Sequence, residues 1–229
     1  MPVARYVARV PKRWKTFAAI AFAVIVLDQW TKLLVVKHLT PAFATAKLGS
    51  TPTSREQMED ATDQVGFFEN LALFYSSSVV KAPCDRGMRC PPVRVIDGFW
   101  NWRYAENPGA AWSLFAKAHE DLRAPFLISV SILALGFIGY YVRKLPEEQK
   151  ANLIALSMIA GGATGNLIDR IRLRYVIDFI LWYRGTTAWP TFNVADSAIS
   201  CGVALIGLIM LLELRPKRAR ALGEADAVR

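Results

Sequence analysis

The sequence has few of the residues that build metal sites and disulfide frameworks. Its 229 residues include three cysteines and two histidines. His38 and His119 are far apart and have no ligand-like neighbours, so we predict no metal site. Cys201 falls within an apolar run and is expected to be a small packing residue. Cys84 and Cys90 bracket a short polar loop. A disulfide is one interpretation, if that loop lies outside the cytoplasm, and two free thiols are the other.

The chain also lacks internal repeats, low-complexity tracts and a recognisable nucleic-acid-binding motif. Its formal charge of +9 would suit a nucleic-acid partner. However, the basic residues crowd beside apolar runs, where lysine and arginine orient membrane segments. No basic stripe with interleaved aromatic residues accompanies a binding motif. We therefore expect no nucleic acid among its partners.

Apolar residues are abundant and concentrated. They make up 53% of the chain, compared with about 45–50% in ordinary soluble domains. Four runs, at residues 17–36, 125–142, 151–168 and 195–214, approach the length of about 20 residues with which a helix crosses a bilayer. We predict a membrane α-helical protein with four transmembrane helices in a single membrane-embedded domain.

Basic residues cluster before the first run, between the second and third, and after the fourth. The positive-inside rule then places both termini in the cytoplasm. The arginines at 170, 172, 174 and 184 do not follow this rule, because they lie between the third and fourth runs. The first run also has features of a cleavable secretory signal peptide, but it continues past Asp28, which favours an uncleaved span.

The region 37–124 is predicted to lie outside the cytoplasm. Its aromatic and β-branched runs, "VGFFENLALFYSSSVV" and "PVRVIDGFWNWRYAEN", are separated by proline and glycine turns and predict strands. We therefore expect a small β-rich extracytoplasmic subdomain. The polar stretch 48–66 is expected to be a loop or a short helix.

Ionisable residues within spans are costly and are candidates for function. Asp28 and Lys32 are four residues apart in the first run, so they can pair on one helix face, and we interpret them as a structural ion pair. Asp169 and Arg170, at the outer end of the third run, are expected to form a local ion pair.

Asp178 and Asp196 are the strongest candidates for catalysis. Gly185, Pro190 and a polar stretch between them exclude one continuous helix, so the chain leaves the membrane near 169 and returns near 194. Both carboxylates then lie at the same outer boundary. Two carboxylates that share a site do not both ionise easily. Such a pair can activate water and protonate a leaving amine, as in an aspartic peptidase, without metal or cofactor. The alternative is that Asp196 only caps the fourth helix.

Five sequence blocks resemble those of lipoprotein signal peptidase, also called signal peptidase II. They are "LDQWTK" (27–32), "ENPGAAWSLF" (106–115), "GNLIDR" (165–170), "VIDFI" (176–180) and "FNVADSAIS" (192–200). They follow the family's order from first span to last. The chain departs from the pattern at Trp112, where phenylalanine is usual, and at Pro108. The stretch 48–98 is longer than in the family and is interpreted as an insertion.

The resemblance implies an aspartic endopeptidase of the bacterial inner membrane, with four spans and an extracytoplasmic active site. Such enzymes remove the signal peptide from diacylglyceryl-modified prolipoproteins, cutting before the lipidated cysteine, and use no cofactor. Asp178 and Asp196 match the catalytic pair, and Asp28 and Lys32 match a first-span pair. Positions that shape or support the site match Asn107, Gly109, Asn166, Asp169, Arg170, Asn193 and Ala195.

The partners expected from the resemblance are these prolipoproteins and membrane phospholipid, with the chain acting as a monomer. Aromatic residues at positions 100, 102, 182 and 189 are expected at the headgroup level, and the arginines at 172, 174 and 184 are hypothesised to meet lipid phosphates. The alternative functions are a four-span transporter or channel and a non-catalytic scaffold in which the aspartates cap helices. A transporter holds its charged site near the bilayer midplane, unlike these aspartates. A scaffold would tolerate Asp178→Asn, whereas a peptidase would not.

Overall fold

The computed structural model describes residues 11–80, 84, 90–109 and 120–227. Its helices are α1 (Lys12–Leu39), α2 (Ala42–Leu48), α3 (Arg55–Asp63), α4 (Phe67–Tyr75), α5 (Ser77–Val80), α6 (Glu120–Lys144), α7 (Lys150–Leu173) and α8 (Val194–Ala227), and its strands are β1 (Val93–Ile96), β2 (Trp100–Asn107), β3 (Val176–Arg184) and β4 (Thr187–Ala188). Within these residues, α1, α6, α7 and α8 are long and apolar enough to cross a membrane. Each contains one of the four predicted runs.

Helix α7 lies between α1 and α8 because glycines allow the backbones to approach closely. A Cβ atom at Gly161 would lie 2.8 Å from the carbonyl oxygen of Ala21 on α1. A Cβ atom at Gly162 would lie 2.4 Å from the carbonyl oxygen of Ala195 on α8. Helices that associate in membranes commonly use small residues in this way. The first turn of α8 is therefore held directly against α7.

A four-stranded antiparallel sheet, in the order β1-β2-β3-β4, packs at one end of the helical bundle. We call this the sheet end. It holds the C-terminal ends of α1 and α7 and the N-terminal end of α8. In the pairing of β2 with β3, Ala105 lies opposite Asp178 and Asn107 lies opposite Val176. The sheet therefore brings part of the 106–115 block beside the strand that contains Asp178.

The small β-subdomain is present, but among the described residues the region 37–124 supplies only strands β1 and β2. The second aromatic run forms these strands as predicted. The strand prediction for "VGFFENLALFYSSSVV" is wrong, since this segment forms α4 and α5. Its glutamate, alanine and leucines favour helix, and its burial does not alternate. The stretch 48–66 contains α3, so the short-helix alternative is confirmed there.

The main hydrophobic core lies at the sheet end, between α1, α2, α4 and β3. Phe43, Phe74 and Phe179 are fully or almost fully buried there. This core supports the strand on which Asp178 lies. At the opposite end, Arg13 donates a hydrogen bond to the carbonyl oxygen of Leu145 at 2.7 Å. The start of α1 therefore lies beside the connection between α6 and α7.

The three cysteines have different outcomes. Cys84 and Cys90 form a disulfide, which decides between the two interpretations that the sequence left open. Residues 85–89 lie outside the described part of the chain. Cys201 is free and exposed on α8, so the prediction that it is a small packing residue is wrong within the described chain. A run that is apolar on every side gives no indication of which residues face neighbouring helices.

Candidate active site

Asp178 and Asp196 are connected by Asn193. The Nδ2 atom of Asn193 donates a hydrogen bond to Oδ1 of Asp178 at 2.7 Å. The Oδ1 atom of Asn193 accepts one from the backbone nitrogen of Asp196 at 2.9 Å. Asp178 is 2% exposed and Asp196 is half-buried. The structure thus brings the two carboxylates to one site, as the return path of the chain predicted.

The same residues form the N-terminal cap of α8. Asn193 immediately precedes the helix and accepts from the backbone nitrogen of Asp196, while its own backbone nitrogen donates to Oδ2 of Asp196 at 3.2 Å. This reciprocal arrangement is a capping box. The cap residue is therefore Asn193, and Asp196 is the third residue of the helix. The alternative in which Asp196 itself is the N-cap is wrong in position, because its carboxylate takes the other half of the box.

The surroundings of the Asp178 carboxyl raise its pKa. Burial, and next the charge of Asp196, raise its pKa from 3.8 to about 7. Hydrogen bonds from Asn107 and Asn193 oppose this rise. The Asn107 bond runs from Nδ2 to Oδ2 of Asp178 at 3.0 Å, and Gly109 orients the amide by donating its backbone N–H to Asn107 Oδ1 at 3.1 Å. Asp178 therefore exchanges its proton near neutral pH.

Lys32 lies at the centre of a fully buried charge network beneath the pair. Its Nζ atom is 2.8 Å from Oδ2 of Asp28 and 2.8 Å from Oδ2 of Asp169. It also donates to Oδ1 of Asn166 at 3.2 Å. These three acceptors match the three N–H donors of an ammonium group. Lys32 therefore joins α1 to α7 without an unsatisfied donor.

Three further hydrogen bonds connect this network to the start of α8. The Oδ1 atom of Asp28 accepts from the backbone nitrogen of Ala195 at 3.0 Å. Asn166 donates from Nδ2 to Oδ1 of Asp196 at 2.8 Å. Its Oδ1 atom accepts from Nδ2 of Asn193 at 3.1 Å. The ion pair of the first span is thus continuous with the residues that hold the aspartates.

The expected ion pair between Asp169 and Arg170 is wrong. Asp169 instead pairs with Lys32 and lies 3.9 Å from Nη1 of Arg172. Arg170 donates from Nη2 to the carbonyl oxygen of Gly109 at 3.2 Å. Adjacent residues on a helix point in different directions, so Asp169 faces α1 while Arg170 reaches the loop after β2. That loop contains Pro108 and Gly109 of the 106–115 block.

Sequence reasoning missed Gln29, although it lies within "LDQWTK". Its Nε2 atom donates to Oδ2 of Asp28 at 3.2 Å and to Oδ1 of Asp169 at 3.1 Å, and its Oε1 atom accepts from the hydroxyl of Tyr75 at 3.4 Å. A polar residue in an apolar run was the available signal. Gly165 was also missed. A Cβ atom there would lie 2.5 Å from Asp28 Oδ2, so the network requires glycine.

The arginines of this region have separate roles. Arg172 donates to the carbonyl oxygen of Phe74, and its guanidinium lies 4.6 Å and 4.5 Å from the ring centroids of Phe74 and Tyr75. Arg172 therefore anchors α4 within the protein, and its hypothesised contact with lipid phosphate stays a prediction. Arg174 and Arg184 are exposed, and their contact with phosphates stays a prediction.

The structure locates some of the predicted features without testing what was predicted of them. Trp182 and Trp189 are exposed, whereas Trp100 and Trp102 are half-buried in the sheet. Trp112 and His119 lie outside the described residues. Across the part of the chain that the structure describes, no group of three or more histidine, cysteine, aspartate or glutamate residues could hold a metal ion.

The model of the signal peptidase II family matches residues 70–212. The chain belongs to this family. It is 38% identical over 218 residues to a lipoprotein signal peptidase of Anaeromyxobacter sp. (strain Fw109-5), covering 94% of this chain and 90% of that relative. The lipoprotein signal peptidase of Geobacter sulfurreducens (strain ATCC 51573 / DSM 12127 / PCA) is 50% identical over 125 residues, covering 55% of this chain and 77% of the relative.

A solved structure of a bacterial membrane enzyme has a similar fold. It aligns with a TM-score of 0.58 at 24% identity, and the alignment covers 89% of this chain and 92% of that chain. At this identity the likeness supports the fold alone. The chain is a multi-pass membrane protein of the family fold, with four apolar helices and a small sheet.

Proposed function

We propose that Asp178 and Asp196 are the catalytic pair with which this member of the signal peptidase II family removes signal peptides from prolipoproteins. Membership of a peptidase family favours an enzyme over a transporter or a scaffold. The observation that carries the assignment is that Asn193 donates to both carboxyl groups, from its side-chain Nδ2 to Asp178 and from its backbone nitrogen to Asp196. No metal or cofactor enters the proposed chemistry.

In this proposal one carboxylate takes a proton from a water molecule, whose oxygen attacks the carbonyl carbon of the scissile peptide bond. The other carboxyl gives its proton to the nitrogen as the carbon–nitrogen bond breaks. The raised pKa of Asp178 favours it as the group that holds the proton before reaction. Because the two groups are coupled, their titration belongs to the pair.

The remaining site residues are proposed to position the pair. Asn107, Asn166 and Asn193 donate hydrogen bonds to the two carboxyl groups. Asp28 and Lys32 hold the start of α8 against α7 through the backbone of Ala195 and the side chain of Asn166. Arg170 and Gly109 fix the loop that presents Asn107. Asp169 completes the pairing of Lys32.

The proposed substrates are diacylglyceryl-modified prolipoproteins, cut before the lipid-bearing cysteine, in a bacterial inner membrane. A substrate anchored by acyl chains presents its scissile bond near the membrane surface, and the pair lies at the ends of α7 and α8. The active site is proposed to face the extracytoplasmic side, since Lys12, Arg13 and Lys15 lie at the opposite end of α1. Membrane phospholipid surrounds the four helices in this arrangement.

We further propose that the chain acts as a monomer and that residues 48–98 are an insertion into the family fold. The disulfide between Cys84 and Cys90 lies within the insertion, as expected for an oxidising compartment.

Cleavage of a diacylglyceryl-modified prolipoprotein by purified variants tests the catalytic assignment. Asp178→Asn and Asp196→Asn are expected to fold and to lose cleavage. Asparagine at 196 retains an oxygen that can accept the bond from the backbone nitrogen of Asn193, so the capping box is kept while the charge is removed. Asp97→Asn is a matched control, because Asp97 is exposed at the β1–β2 turn.

Cleavage by folded Asp196→Asn at nearly the wild-type rate would restrict Asp196 to its role in the cap and overturn the pair. An unmodified precursor, offered beside the lipidated one, tests the substrate assignment separately. Equal cleavage of both precursors by the wild type would contradict dependence on the lipid while leaving the catalytic pair intact.

A further inference from the structure

Helix α4, within the insertion, has an apolar face that the protein leaves uncovered. Phe68 is 83% exposed and Phe67 is 55% exposed. Ala72 and Tyr75 are also exposed, and residues 68, 72 and 75 share one side of a helix. The fully buried Phe74 lies on a different side, which Phe67, seven residues earlier, shares at the start of the helix. Two adjacent exposed phenylalanines on a nine-residue helix are unfavourable in water.

Several contacts hold this helix in a fixed orientation. The guanidinium of Arg172 lies over the rings of Phe74 and Tyr75, and the hydroxyl of Tyr75 donates to Gln29 at 3.4 Å. Near its start, Glu69 pairs with Lys47 of α2 at 3.6 Å. The exposed phenylalanines therefore belong to a helix whose orientation is fixed by contacts with α1, α2 and α7.

The apolar face of α4 is continuous with the exposed surface of α1. The ring of Phe67 lies 5.9 Å from the ring of Trp30. Trp30 belongs to a stripe of exposed residues at successive turns of α1, with Phe22, Val26 and Leu34. Because α1 is a membrane span, this stripe faces acyl chains. The occupant of the neighbouring surface on α4 is then also lipid.

The position along α1 at which α4 makes contact places α4 near the boundary of the bilayer. Trp30 lies between Asp28 and Lys32 in the chain, so α4 meets α1 beside the buried network of the site. Tryptophan and phenylalanine on the apolar face of a helix that lies in the membrane plane are typical of interfacial anchors.

We propose that α4 is an interfacial helix, with Phe67 and Phe68 inserted into phospholipid of the leaflet at the sheet end. The insertion then provides a lipid-binding wall beside α1. This proposal depends on α1 being a membrane span and is independent of which residues catalyse cleavage. A second protein chain on the same face is the competing occupant.

Spin-label accessibility in phospholipid vesicles tests the proposal. In a Cys201→Ala background, single cysteines replace Phe68, Glu69 or Val26, and the disulfide is kept by labelling without reductant. Val26 is the reference for acyl-chain contact, and Glu69 is the matched control on the same helix. The label at 68 is expected to resemble that at 26, colliding several-fold more with oxygen relative to a water-soluble nickel chelate than the label at 69.

Two results would overturn the lipid assignment. Equal accessibility of 68 and 69 to the nickel chelate means that the face contacts water. Protection of 68 from both reagents, with dipolar broadening between labels, means that a second copy of the chain covers it. Retained cleavage of prolipoprotein by the labelled variants shows that they are folded, as expected for substitutions at exposed positions.

Discussion

Asp178→Asn is expected to make the folded protein more stable than wild type at alkaline pH while abolishing cleavage. The pKa of the Asp178 carboxyl is raised from 3.8 to about 7, first by burial and then by the charge of Asp196. One pH unit corresponds to about 1.4 kcal/mol, so ionising this buried group costs the folded state about 4 kcal/mol. Asparagine carries no such cost.

The stabilisation is partly offset by a lost hydrogen bond. Asp178 accepts from both Asn107 and Asn193, whereas an asparagine presents one oxygen and one NH₂ group. Losing one hydrogen bond costs about 1 kcal/mol. The net advantage of Asp178→Asn at pH 8 is therefore expected to be about 3 kcal/mol.

The stability of the wild type depends on pH because the pKa of Asp178 differs between the folded and the unfolded states. Below pH 3.8 the carboxyl is protonated in both the folded and the unfolded states. Between 3.8 and about 7 the unfolded state ionises while the folded state keeps its proton. Wild-type stability therefore falls as pH rises through this window and levels off above it. The stability difference between Asp178→Asn and wild type should grow across the same window.

Unfolding by SDS in mixed micelles, followed by tryptophan fluorescence at several pH values, measures this difference. Asp97→Asn, at an exposed turn position, controls for general effects of removing a carboxylate. A difference between Asp178→Asn and wild type that stays constant from pH 5 to pH 8 would refute the argument that burial and Asp196 hold the proton on Asp178.

Three further substitutions test the network around the pair. Lys32→Met leaves two buried aspartates unpaired and should destabilise the protein by about 3–5 kcal/mol in the same unfolding assay; unchanged stability would contradict the network. Gly165→Ala places a Cβ atom 2.5 Å from a buried carboxylate oxygen and should cost about 1–3 kcal/mol, whereas the control Gly136→Ala, which meets open space, should not destabilise. Asn193→Ala should cost about 1–2 kcal/mol as a lost cap. The loss of its hydrogen bond should also raise the pKa of Asp178 further and move the pH profile of residual cleavage to higher pH. An unchanged pH profile would contradict this role of Asn193.

Sequence patterns predicted the parts of the fold that depend on local composition. A span requires about 20 apolar residues whatever its neighbours are, and all four runs lie in long helices. Strands β1 and β2 were predicted from their aromatic and β-branched residues between proline and glycine turns. Strand β3, which contains Asp178, was not predicted as a strand. The helix at 67–75 was not predicted as a helix, because its aromatic residues favour a strand in isolation. Its helical form is accompanied by the packing of Phe74 into the core and the contact of Arg172 with the two rings.

In the candidate site, too, local sequence predicted some features and tertiary packing decided the others. Asp178 and Asp196 were identified because carboxylates beside apolar residues are costly, and the polar stretch between them required the chain to return. Their connection through Asn193 and the pairing of Asp169 with Lys32 were beyond sequence reasoning.

What the sequence determined by itself is therefore the number of spans, the presence of a small sheet and the two candidate carboxylates. The spans and the carboxylates follow from the free energy of placing a residue in lipid or water. The sheet follows from the strand preference of aromatic and β-branched residues. Only the tertiary structure decided which polar groups meet, because their partners lie on different helices and strands. Gly161 and Gly162 bring α1, α7 and α8 close together, and the angular positions of residues on those helices fix the hydrogen bonds around Asp178 and Asp196.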